Sequence, residues 1–178
     1  YKFVNERIFE HQHPAWGKAV ADDLLREKGW TGQLIEYVLG ASAGSKPLPD
    51  FEDLGIELKT LPISYKGKPL ETTFVSVTPL MNVTGMTWHT SSVRKKLNHV
   101  LWLPILSERD IAPFDRTIGS GFLWQPSAAQ DAQLQRDWEE QMELIALGRV
   151  DEISGHLGDV MQIRPKAANS KVVTDAIG

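Results

Sequence analysis

Apolar residues recur along this chain at helical spacing, at strand spacing and in short unbroken runs, and each pattern predicts an element. Val20, Leu24 and Leu25 lie between Pro14 and Gly29 and predict a helix over 14–28. Leu34, Ile35, Val38 and Leu39 form the apolar face of a second helix over 31–39, with Gly40 as its stop. Small residues and prolines make 40–50 a loop. Behind Gly55, residues 56–61 read as a strand, with Ile56, Leu58 and Thr60 on one face and Glu57 and Lys59 on the other. A turn at 66–69 leads into a β-rich stretch over 70–77, expected to be its antiparallel hairpin partner. Residues 82–85 form a loop and 91–99 a short helix. The wholly apolar run 100–106 reads as a buried central strand, with Pro104 toward its end. Residues 119–126 read as a loop holding Phe122 and Trp124. Ser127 and Gln130 make a capping box that opens the clearest helix. Leu134, Trp138, Met142 and Ile145 are its core stripe, and Gly148 ends it. A connector over 150–158, a strand over 160–164 and a helix over 170–177 complete the expected order.

Composition narrows the class. The chain has 178 residues and 42% hydrophobic content, enough for one ordinary domain with a real core. It has no cysteine, which excludes a disulfide framework and a thiolate zinc site and fits a reducing compartment. No apolar run approaches membrane-spanning length. The net charge of −4 counts against coating nucleic acid by bulk charge, but not against a nuclease that combines acidic metal ligands with a local basic track. Arg94, Lys95, Lys96 and His99 are the densest basic cluster. A solvated helix face is the plain structural alternative for them. The His11/His13 pair reads as solvated terminus.

Candidate chemistry centres on 50–59. Glu57 and Lys59 share a strand face roughly 7 Å apart, and Asp50 arrives from the preceding loop. Two carboxylates and an ammonium can hold one divalent cation and one water, the equipment of a metal-assisted phosphodiester hydrolase. On spacing alone the pattern is weak, and a solvated surface pair explains it as well. Glu36, on the upstream helix, reads on pattern alone as an exposed glutamate.

Longer motifs are more specific. Residues 28–36 (KGWTGQLIE), 39–46 (LGASAGSK), 50–51, 54–60 (LGIELKT), 69–75 (PLETTFV) and 162–169 (QIRPKAAN) resemble, in order, the MutH family of DNA mismatch-repair endonucleases. The resemblance runs from about Lys28 to Gly178 and implies an α/β, restriction-endonuclease-like fold: a mixed sheet flanked by helices, in two lobes that clasp DNA. It implies Mg²⁺-dependent nicking of the unmethylated strand at hemimethylated GATC sites in double-stranded DNA, activation by the partner MutL, a cytoplasmic location and a monomeric enzyme. By the same resemblance Asp50 and Glu57 match the metal carboxylates, with Glu36 the upstream carboxylate and Lys59 the active-site lysine. Lys96 matches a further lysine associated with cleavage. Lys28, Phe74, Arg164, Pro165 and Lys166 match DNA-contacting positions.

Residues 1–27 follow the family pattern poorly, and the chain stops before the family's Gly-Phe-Tyr segment and last helix. Together with the missing initiator Met, this leads to the expectation of a longer native protein. The whole of 1–178 is expected to be a single endonuclease domain. Competing readings are a GATC-specific restriction enzyme cutting both strands and a catalytically idle DNA- or partner-binding module.

Overall fold

The computed structural model describes residues 30–41, 48–112 and 115–164. The helices expected over 14–28 and 170–177 lie outside the described residues. In chain order the elements are α1 (Trp30–Leu39), β1 (Glu57–Ile63), α2 (Ser92–Leu97), β2 (Val100–Leu106), β3 (Thr117–Ile118), β4 (Phe122–Trp124) and α3 (Ala128–Ala146). Single 3-10 turns occur at Glu52–Leu54, Trp88–Thr90 and Val150–Glu152. The contacts divide the chain into a unit of 1–75 with 96–125 and a unit of 76–95 with 126–178.

The first unit is a mixed sheet with α1 packed on it. β2 lies at its centre. β1 pairs with it in parallel, Glu57 opposite Val100 and Ile63 opposite Leu106. β3 and β4 pair with it antiparallel along the other edge. The partner of β1 is therefore not 70–77, which was expected to form a hairpin. Lys68 and Ser64 do close the expected turn, with Gly67 at φ +72°. Pairing then ends with the bridge of Ile63 to Pro69, and 70–77 runs on without regular structure. The β-branched residues there satisfy strand propensity, which is a matter of packing context more than of backbone preference.

A second correction concerns 119–126. Phe122–Trp124 is a strand, and Gly119 and Gly121 let the chain pass close over β2. A Cβ on Gly121 would sit 3.2 Å from Leu103 Cδ1 and 3.3 Å from Leu101 Cδ1. The core of this unit joins Ile35 of α1, Leu58 of β1 and Ile105 of β2, with Phe51, Leu101, Leu103 and Ile118 around them. On α1 Leu34 and Ile35 are buried, while Val38 and Leu39 of the expected apolar face remain exposed.

The second unit is built on α3. Its Ser127 cap accepts from the Gln130 backbone amide, and the Gln130 side chain returns a bond to the Ser127 amide. Leu134, Trp138, Met142 and Ile145 are buried as the spacing predicts. Trp88 packs against Trp138 with ring centroids 6.1 Å apart. The strand expected over 160–164 does not form; that segment has no ladder and is held by side chains of α3 instead. Among the described residues no helix is long and apolar enough to cross a membrane.

Candidate active site

Asp50 and Glu57 are brought together by a short loop. Phe51 and Ile56 form an isolated antiparallel bridge, Phe51 N–H to Ile56 O at 2.9 Å and Ile56 N–H to Phe51 O at 3.3 Å. The Glu52–Leu54 turn spans the gap, and Gly55 closes it at φ +62°, a left-handed conformation that suits glycine. The fold-back lays Asp50 beside the start of β1, where its Oδ2 accepts the Leu58 N–H at 2.8 Å. Leu58 thereby sends its side chain into the core and its amide to Asp50. Glu57 and Lys59 share the opposite face, as strand alternation requires.

Lys96 reaches the same point through the parallel pairing. The Glu57 N–H donates to His99 O at 2.9 Å, which registers β1 against the start of β2 and sets the end of α2 over Glu57. Lys59 Nζ and Lys96 Nζ both donate to Glu57 Oε1, at 2.6 and 2.7 Å. Glu57 is 1% exposed, so its charge is buried and matched by two ammonium groups. Its Oε2 is buried with no hydrogen-bond partner among the described residues.

Electrostatics tie Glu36 to the same cluster. Burial pushes its carboxyl above the ordinary value, and the charges of Asp50 and Glu57 push the same way against Lys59 and Lys96. Burial also raises Asp50, opposed by the Leu58 N–H and reinforced by Glu57. Carboxyls raised in this way are ones whose charged forms a cation would relieve. Mg²⁺ fits this donor set. It takes oxygen ligands and needs only one or two carboxylates, and Glu57 presents a buried oxygen with no hydrogen-bond partner among the described residues. No group of three or more His, Cys, Asp or Glu side chains gathers closely enough to cage a metal among the described residues, so water and phosphate would complete the coordination.

Phe74 is 58% exposed in the irregular stretch after β1. Arg164 is exposed in the second unit, its guanidinium resting over Gly155. Lys28, Pro165 and Lys166 lie outside the described residues. Arg94 of the basic cluster turns to Asp131, with Nε to Oδ1 at 3.3 Å.

Sequence reasoning passed over Asp137 and Gln141, buried on α3. The periodicity that picks out Leu134, Trp138 and Met142 puts both on the same buried face, and that was the available clue.

A mixed sheet whose parallel β1/β2 pair carries Glu57 and Lys59, with Asp50 laid beside the head of β1 by the preceding loop, defines a restriction-endonuclease-like α/β protein. Comparison with known proteins narrows the class. The family model described as "DNA mismatch repair enzyme MutH" matches residues 39–137. A DNA mismatch repair protein MutH of Vibrio cholerae serotype O1 is 57% identical over 162 residues, covering 91% of this chain and 73% of its own length. Proteins of the same name from Haemophilus ducreyi and Serratia proteamaculans are each 58% identical, over 158 and 160 residues. They cover 89% and 90% of this chain, and 70% of their own length in both cases. The chain belongs to the MutH family of DNA mismatch-repair enzymes.

Proposed function

We propose that this chain is a Mg²⁺-dependent DNA endonuclease of mismatch repair that nicks the unmethylated strand at hemimethylated GATC sites and is activated by MutL. The observation that carries the reading is Glu57: a buried carboxylate held through one oxygen by Lys59 and Lys96, its other oxygen without a hydrogen-bond partner among the described residues, and its charge felt by Asp50. Family membership supplies the repair context.

Asp50 and Glu57 would hold the cation, with Glu36 as the further carboxylate of the cluster. When bound, Mg²⁺ supplies charge neutralisation on the phosphodiester and a lowered pKa for the attacking water. The chain's own residues do the rest. The Leu58 amide fixes Asp50, so its remaining oxygen has a set direction. Lys96 steadies Glu57 through Oε1. Lys59, on the same strand face, orients the water or stabilises charge developing on the phosphate. Arg164 carries the planar fork suited to guanine O6 and N7 in the major groove. Lys28, Phe74, Pro165 and Lys166 are assigned to contacts with the duplex, and the enzyme is read as a monomer acting in the cytoplasm.

Strand-resolved cleavage of a hemimethylated GATC duplex with Mg²⁺, with and without MutL and beside a scrambled site, tests this reading. Nicking confined to the unmethylated strand and stimulated by MutL is expected. Cleavage of both strands irrespective of methylation would replace it with the restriction-enzyme reading. Site-specific binding without cleavage would leave an idle module.

A further inference from the structure

Asp137 and Gln141 occupy successive turns of α3 and are 3% and 0% exposed, yet the chemistry above uses neither. Both act on the segment that leads to Arg164. Asp137 Oδ2 accepts the Val160 N–H at 2.7 Å and the Met161 N–H at 2.9 Å, while its Oδ1 accepts from Gln133 Nε2 at 2.9 Å. Gln141 Nε2 donates to the Met161 carbonyl and to the Asp137 carbonyl, each at 2.9 Å. Both backbone groups of Met161 are therefore fixed by one helix.

Gly158 brings the chain into this clamp at φ +83°, where a Cβ would lie 2.2 Å from the Met161 carbonyl oxygen. Residues 160–164 belong to no helix or strand, so side chains replace the ladder that would otherwise fix their backbone. Gln141 keeps these bonds although its own Oε1 is buried without a partner among the described residues. Arg164 follows three residues after Met161. A bidentate fork reads a base only when its backbone is held to a fraction of an ångström, and a rigid helix is a better anchor than a loop.

We propose that Asp137 and Gln141 are positioning residues for Arg164, fixing the backbone from which it reads the DNA and so setting sequence discrimination more than cleavage rate. This rests on the reading of Arg164 given above. The test uses Gln141→Met, Gly158→Ala, Arg164→Ala and the double variants of the first two with Arg164→Ala. Mg²⁺-supported kcat and KM are measured on a GATC duplex and on duplexes with one base of the site changed, alongside Tm.

Gln141→Met and Gly158→Ala are each expected to lower discrimination about tenfold, mainly through KM, with no further loss when combined with Arg164→Ala. Gly158 lies in a loop, so its variant carries the test if the buried substitution fails to fold. Unchanged discrimination in folded variants, while Arg164→Ala loses it, would overturn the clamp and leave the reading of Arg164 standing. Full discrimination in Arg164→Ala would overturn both.

Discussion

Lys59 and Lys96 donate to one oxygen of Glu57, and their roles separate when one is removed. In Lys59→Ala, Lys96 still neutralises the buried carboxylate, so the β1/β2 register and the fold persist. What disappears is the ammonium on the strand face shared with Glu57. Nicking is expected to fall by roughly 10³-fold with DNA binding largely retained, as seen by single-turnover cleavage beside a binding titration. A variant that cuts near the wild-type rate would remove Lys59 from the mechanism. Glu57 and Lys59 were legible as a pair because strand alternation puts i and i+2 on one face. Lys96 could be linked to them only by resemblance, since nothing local connects residues 39 apart.

Helix α3 does more than fill a core. Asp131, in its first turn, accepts from the buried Trp88 indole N–H at 3.0 Å and from Arg94. Asp131→Ala would leave the indole N–H in the interior without an acceptor and is expected to cost about 2 kcal/mol in urea unfolding. A loss no larger than that of an exposed surface substitution would show that another group takes the bond.

Two turns on, burial pushes the Asp137 carboxyl up. The Val160 and Met161 amides and the Gln133 side chain outweigh this and bring it below its ordinary value of 3.8. A folded-state pKa below the unfolded one means stabilisation that is present above the unfolded value and lost as pH falls through the folded one. Stability should therefore drop as pH falls below about 4, and less steeply in Asp137→Asn. Equal slopes in the two proteins would show that other carboxyls govern the acid limb. The stripe of α3 and its cap were legible because both are local periodicities. The irregular course of 160–164, where a strand was expected, was not, because its hydrogen-bonding partners sit on a helix some twenty residues earlier.

The molecule as a whole carries a net charge of −4, and it concentrates carboxylates where their charges repel. Glu36 and Asp50 both have raised folded-state values, so their ionisation opposes folding as pH rises through the carboxyl range. A divalent cation bound to the charged forms would reverse that sign. Mg²⁺ is expected to raise Tm at neutral pH, with the increment shrinking below about pH 5 as protons compete. Asp50→Asn should lose the increment while keeping or gaining stability without metal. An equal Mg²⁺ effect in wild type and Asp50→Asn would place the cation elsewhere.

The sequence by itself determined α3 with its cap, the face shared by Glu57 and Lys59, the central strand β2 and, through long ordered motifs, the family. These are local properties: side-chain direction, capping chemistry and apolar periodicity act over a few residues. Only the tertiary structure decided that β1 pairs in parallel with β2 and not with 70–77. It also showed that Phe122–Trp124 is a strand and that Lys96 meets Glu57. Each of these depends on which distant segment covers an edge or fills a pocket. That choice is made by burial and hydrogen-bond satisfaction across the whole chain, to which no short window of residues has access.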